Sequence, residues 1–144
     1  MTTVSIRRSG GDSVTLDSSA IESLKSELRG PLRFPGDDGY DVSRTVWNAM
    51  IDRRPALAVH CAGVNDIKRA VGFARAHGLL TSVKGGGHNI AGSAVCDGGF
   101  LIDLSGMRSV RVDPEARVAH VEPERPSGIS IPRHRPSDLP RRSA

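Results

Sequence analysis

Aromatic side chains are nearly missing from this sequence: three Phe, one Tyr and one Trp make up 3% of its 144 residues. Any core therefore has to be built from Val, Ile, Leu and Ala. Apolar runs are short as well. None approaches the roughly 20 residues a helix needs to cross a bilayer, which argues against a helical membrane span. Cysteine occurs only twice, as Cys61 and Cys96, too few for the disulfide framework of a small secreted domain. The opening "MTTVSIRRSGGDSV" has arginines with no apolar segment behind them, so no secretory leader is read there. Together these absences place the chain in a reducing cytoplasm.

What is present suits one globular domain, with 38% hydrophobic and 25% charged residues. The formal net charge of +4 gathers near the end, at Arg125, Arg133, Arg135, Arg141 and Arg142, answered there by Glu124 and Asp138. Without that segment the chain is close to neutral. The tail offers arginines for phosphate contacts but no aromatic residue to stack on a base, so nucleic acid is not expected as a partner. Neither is a membrane.

The expected fold class is α+β. Residues 1–34 read as a loose lead-in carrying one helix, "DSSAIESLKSELRG". In it Ser19 and Glu22 have capping-box spacing, Ile21, Leu24 and Leu28 share a face, and Gly30 can close the end. "PLRFPGDDGYD" is read as irregular, and "DVSRTVWNAM" as a short helix. From Ala56 the pattern firms. "ALAVH" is a strand, "NDIKRAVGFARAHG" a helix with Asn65 as N-cap and Gly78 beyond its end, and "LLTSVK" a second strand. Strand, helix and strand make a βαβ unit with a right-handed crossover expected. "GFLIDLS" is a buried strand, and "SVRV" and "RVAHV" alternate around "DPEA" as a hairpin. After Pro123 four prolines among basic residues leave residues 124–144 as a disordered tail.

The chemistry concentrates in "SVKGGGHNIAGSAVCDGG". Gly85 and Gly87 fit the start of G-x-G-x-x-G, but Ile90 stands where the third glycine belongs. Gly92 is followed by Ser93-Ala94, which fails the Walker A pattern. Two readings stay open from physics alone: bare amides after a strand can cradle phosphate oxygens with Lys84 adding charge, or the stretch is a tight turn with His88 bonded to a neighbour. His77, His88, Cys96 and Asp97 lack the paired spacing of a zinc site. Cys61 and Cys96 read as small buried apolar residues, and no third group orients a His88–Cys96 pair. His77 belongs to a helix end, where a cation favours the dipole. His60, His120 and His134 join no constellation. No catalytic residue and no metal ligand is assigned.

The run "RPALAVHCAGVNDIKRAVGFARAHGLLTSVKGGGHNIAGSAVCDGGFLIDLSGMRSVRVDPEARVAHVEP" resembles the FAD-binding domain of FAD-linked oxidases. These are of the vanillyl-alcohol oxidase and p-cresol methylhydroxylase (PCMH) type, nearest the berberine-bridge-enzyme-like branch. The likeness covers residues 35–123, with "KGGGHNIAG", "GGFLIDLS" and the Val-x-Val hairpin as its most specific parts. It implies the first lobe of a PCMH-type FAD-binding domain and FAD as cofactor. It also implies a turn whose amides wrap the cofactor's diphosphate: Lys84, Gly85, Gly86, Gly87, His88 and Asn89, completed by Gly92. Many members attach the flavin covalently through the loop histidine, the position of His88. A neutral imidazole suits that bond better than a protonated Lys or a weakly nucleophilic Ser. Asp103 and Ser105 are further polar contacts by the same resemblance, Asp103 being equally readable as a strand-end cap.

Full members add a second lobe and a substrate domain that holds the catalytic base. The resemblance thus implies the flavin part of an oxidase that takes hydride from an alcohol- or sugar-like substrate and reduces oxygen. A small-molecule substrate is expected only once a substrate domain completes it. The alternative reading is a truncated or frameshifted, non-catalytic remnant, because Glu124-Arg125-Pro126 departs from the family's pattern.

Overall fold

A computed structural model describes residues 3–124 of the chain. The tail expected to be disordered lies, from residue 125 onward, outside the described residues. Among the described residues no helix is long and apolar enough to cross a membrane.

The residues read as a loose lead-in form a hairpin, β1 (Val4–Arg7) and β2 (Ser13–Leu16), in antiparallel register. Its sign is a period of two: Val4 and Ile6 answer Leu16 and Val14 across the pair. Ile6 and Leu16 are buried in the main core. The hairpin is also bound by backbone to the rest of the fold, with Arg7 N donating to Gly98 O at 2.8 Å and Leu80 N to Arg7 O at 2.8 Å. Two flanking glycines and alternating polar residues hide this short strand from a pattern search.

Helix α1 (Ser18–Glu27) turns Ile21 and Leu24 to the core, as their spacing predicts. Its cap lies two residues earlier than the expected Ser19: Asp17 accepts from Ala20 N at 2.9 Å. Its C-cap is Leu28, ahead of the expected Gly30. The stretch read as wholly irregular contains a two-residue strand, β3 (Leu32–Arg33), before the short helix α2 (Tyr40–Arg44).

The central sheet comprises β3, β4 (Leu57–His60), β5 (Thr81–Lys84) and β6 (Phe100–Asp103) in the order β3-β4-β6-β5. Only β3 runs antiparallel to its neighbour. The strands on either side of helix α3 (Val64–His77) are both present, yet they are not adjacent, because β6 lies between them. The reason is visible in β6 itself. All four of its residues are buried, and a parallel strand covered on both faces belongs at the sheet's centre.

Two apolar layers sandwich the sheet. Leu57, Val59, Phe100 and Ile102 face α1 and α3, meeting Ile21, Leu24, Ala70 and Ala74. Ala58 and Leu101, one residue out of phase, face Val46 and Val95 in a smaller second layer made by loops. Helix α3 starts at Val64 after Gly63, whose backbone caps it without a side chain, so Asn65 is not the cap. Asp66 binds there instead. Fully buried, its carboxylate accepts from Arg29 N (2.9 Å), Gly30 N (2.9 Å) and Ala62 N (2.8 Å), joining the end of α1 to the start of α3. Gly78 ends the helix in the left-handed region, as predicted. Beyond the sheet, β7 (Val110–Asp113) and β8 (Val118–Val121) form the expected hairpin around an Asx turn, Asp113 Oδ1 accepting from Glu115 and Ala116 N.

Candidate functional site

Three parallel strands stop side by side. In register, His60 ends β4, Asp103 ends β6 and Lys84 ends β5. Strand alternation puts all three on the sheet face away from α1 and α3. Ligands of open parallel sheets bind at this carboxyl edge.

The row is a buried charge network. Asp103, 1% exposed, has Oδ2 3.0 Å from His60 Nδ1, while its Oδ1 accepts from Ser105 N at 3.1 Å and lies 3.6 Å from Lys84 Nζ. Burial alone would raise its carboxyl. The His60 hydrogen bond, the Lys84 charge and Ser105 outweigh that and hold it below the ordinary carboxylate value. Lys84 is 4% exposed, and its Nζ donates to Val42 O and Thr45 O at 3.3 Å each. The charge that the sequence puts at the loop's edge therefore points inward, beneath it. Asp103 behaves as the strand-end cap it could equally be read to be, and as the counter-ion of Lys84.

Directly after Lys84 comes the glycine turn. Among the described residues, the amides from Gly86 to Ala91 donate to no protein acceptor, whereas Gly87 O accepts from Trp47 N at 2.9 Å. Gly87 has φ +69°, a value that disfavours any residue with a Cβ. A Cβ on Gly85 would sit 2.6 Å from Pro123 O, and one on Gly86 2.6 Å from His88 Cδ2. The missing side chains thus admit the Pro123 backbone on one side and the imidazole on the other. His88 is exposed, and its ring centroid lies 5.7 Å from that of Trp47, itself 76% exposed. The turn continues with Asn89 Oδ1 accepting from Ser93 N (3.3 Å) and Ser93 Oγ (3.0 Å), while Gly92, at φ +72°, is backed by Ile51.

A run of unpaired amides with an outward imidazole fits the diphosphate and ring system of a flavin dinucleotide. One group opposes it. Among the described residues Glu124 Oε2 is buried without a partner, 3.2 Å from where a Gly86 Cβ would stand.

The remaining candidates fall elsewhere. Cys61 is buried, and burial pushes its thiol up to about 12; burial likewise raises Cys96, whose sulfur accepts from Ser82 Oγ at 3.2 Å. Neither is a nucleophile at neutral pH. His77 packs against Phe73, with ring centroids 4.6 Å apart. Sequence reasoning missed His60, Trp47 and Glu124. For His60 a signal existed: "ALAVH", "TSVK" and "FLID" each end in an ionisable residue.

Residues 55–124 match the family described as FAD binding domain. Over 94 residues the chain is 34% identical to (R)-6-hydroxynicotine oxidase of Paenarthrobacter nicotinovorans, covering 65% of this chain and 20% of that protein. Among solved structures, the xylooligosaccharide oxidase of Myceliophthora thermophila C1 superposes with a TM-score of 0.64 at 27% identity, over 75% of this chain and 23% of that one. The carbohydrate oxidase of Microdochium nivale gives 0.64 at 28% identity, over 74% and 23%. The chain spans about a fifth of the length of the curated relatives it matches.

Proposed function

We propose a function for this chain from the family it belongs to: it carries the N-terminal part of the FAD-binding domain of the FAD-linked oxidases. In our reading the turn from Gly85 to Asn89 would receive the FAD diphosphate on backbone amides, and His88 would hold the flavin covalently: an imidazole N–H and a C–H of the ring's 8-methyl group give way to an N–C bond, with the two electrons and two protons going to the ring and from it to oxygen. The observation that carries this is the pairing of unsatisfied amides with an exposed imidazole on one side-chain-free turn. Gly86 leaves room for the ring, Gly87 supplies the backbone reversal, and Asn89 and Gly92 shape the exit. Lys84 and Asp103 support the turn from beneath. When bound, FAD supplies acceptance of a hydride from an alcohol- or sugar-like substrate and delivery of electrons to oxygen. In this reading a further substrate-binding part completes the oxidase.

The test is colour. Full-length protein incubated with FAD and precipitated with acid is expected to keep its yellow in the pellet, and H88A to release it. Pigment that leaves wild-type protein in acid overturns the covalent bond while retaining the binding site. A second reading, a domain that retains no flavin, is favoured by the Glu124 carboxylate against Gly86, since an anion there repels a diphosphate. Protein colourless before acid treatment supports that reading.

A further inference from the structure

Lys84 holds an unusual place. It is the last residue before the glycines, yet its ammonium faces away from them, buried between Asp103 and the carbonyls of Val42 and Thr45. Those carbonyls belong to the last turn and the cap of α2. Two residues past Thr45, Trp47 N bonds Gly87 O and the indole meets the His88 ring. Arg33 Nη1 also bonds this segment, donating to Ser43 Oγ at 2.8 Å. The chain from 42 to 47 and the chain from 84 to 88 are thus joined at both ends, by an ammonium at one and by a backbone bond with a ring contact at the other. Val42 and Trp47 are 74% and 76% exposed; within the segment Ser43 is buried and Val46 packs on Ala58 and Leu101, so apolar burial anchors its middle and leaves its two ends to the polar contacts.

We infer that Lys84 is a positioning residue: its buried ammonium fastens residues 42–47 to the sheet edge so that Trp47 fixes the His88 imidazole over Gly86. A cation is required because carbonyl oxygens at a helix C-terminus and a carboxylate converge on one point, and only a positively charged donor satisfies all of them. An apolar residue of equal length would leave both carbonyls and Asp103 without that partner. Sequence logic places a lysine beside a phosphate loop as a phosphate ligand. The geometry makes it a brace for the loop's histidine. The role of the brace in flavin attachment rests on the function proposed above, but the brace itself does not.

NMR of the histidine ring protons in the full chain separates these cases without any flavin. The His88 resonances are those lost in H88A, and Trp47 is the sole tryptophan, so W47A reports the ring-current shift that the contact imposes. K84M, folded by circular dichroism, is expected to reproduce most of the W47A displacement, and K84R, which keeps the cation, to leave the resonances near their wild-type positions. FAD retention in acid should fall in K84M and recover in K84R. His88 resonances that stay in place in K84M while W47A moves them overturn the inference. Loss of FAD binding with those resonances unmoved would make Lys84 a phosphate ligand instead. Resonances that W47A itself fails to move would remove the contact the brace serves. If wild-type protein takes up no FAD, the function proposed above fails and the resonance comparison still decides the brace.

Discussion

Replacing Lys84 and Asp103 singly and together measures the charge row beneath the turn. The two groups are 3.6 Å apart, a separation at which unit charges attract by about 5 kcal/mol at an effective dielectric of roughly 20. Desolvating both ions offsets much of that, so the net contribution of the pair is small compared with the cost of breaking it. K84M leaves a carboxylate still served by His60 and Ser105. D103N leaves an ammonium with two carbonyls and no counter-ion. Each is expected to cost about 3–5 kcal/mol, with D103N the larger because its stranded charge has no other ionic partner. The double variant K84M/D103N strands neither charge, so its loss should fall short of the sum by about 2 kcal/mol. Urea unfolding at neutral pH, followed by circular dichroism and read as midpoint and slope, gives the three losses. Losses that add within about 0.5 kcal/mol would refute the coupling, and single losses below about 1 kcal/mol would refute burial of the pair.

Asp66→Ala removes three backbone hydrogen bonds from a fully buried carboxylate and should cost about 3–5 kcal/mol, seen as a lower urea midpoint with an unchanged slope. Both Asp66 and Asp103 are held below their ordinary value of 3.8, so on acidification the unfolded chain takes up protons first. Stability is accordingly complete above that value and falls as pH drops through the lower folded values, which urea midpoints between about pH 5 and pH 2 would record; a flat profile there contradicts the shifts. Gly85→Ala meets the rigid Pro123 carbonyl, whereas Gly86→Ala meets a movable imidazole. Thermal melting should show G85A the less stable of the two, and G86A should lose acid-stable flavin while melting near wild type. Glu124→Gln removes the anion facing Gly86 and should tighten FAD binding about tenfold, as read by fluorescence titration.

The elements that sequence reasoning located are those whose periodicity reports burial. Helix α3 shows Ala70 and Ala74 at the spacing of one face, and β6 opens on three consecutive apolar residues, so each declares its own surroundings. What escaped was decided between segments. The pairing of β1 with β2 depends on a hairpin closing over Gly10 and Gly11, and its four-residue strands carry only two inward side chains each. The insertion of β6 between β4 and β5 is a property of the sheet, since any of the three apolar runs could have occupied the centre until their relative burial was compared. In the sequence Asn65 reads as the cap of α3. Gly63 takes the cap position, which turns Asp66 inward where the amides of Arg29 and Gly30 need an acceptor.

The site divides along the same line. The run from Gly85 to His88 stands out in the sequence because consecutive glycines need a backbone reason, its binding role being what the family resemblance implies, and the turn shows close approach at Gly85 and Gly86 and a positive φ at Gly87. The direction of Lys84 could not be read locally. A lysine next to a phosphate-type turn and a lysine under one have identical neighbours in sequence; the two differ only in strand phase. Ser82 and Lys84 are buried while Thr81 and Val83 are exposed, so in β5 the hydrophobic residue faces out and the cation in. That inversion of the usual phase is tolerable only because Asp103 stands opposite in register and His60 beyond it. Parallel strands of equal length, each ending in an ionisable residue, therefore predict a charge row across their common edge once the register is known, and the residue that follows each end inherits its position from that row.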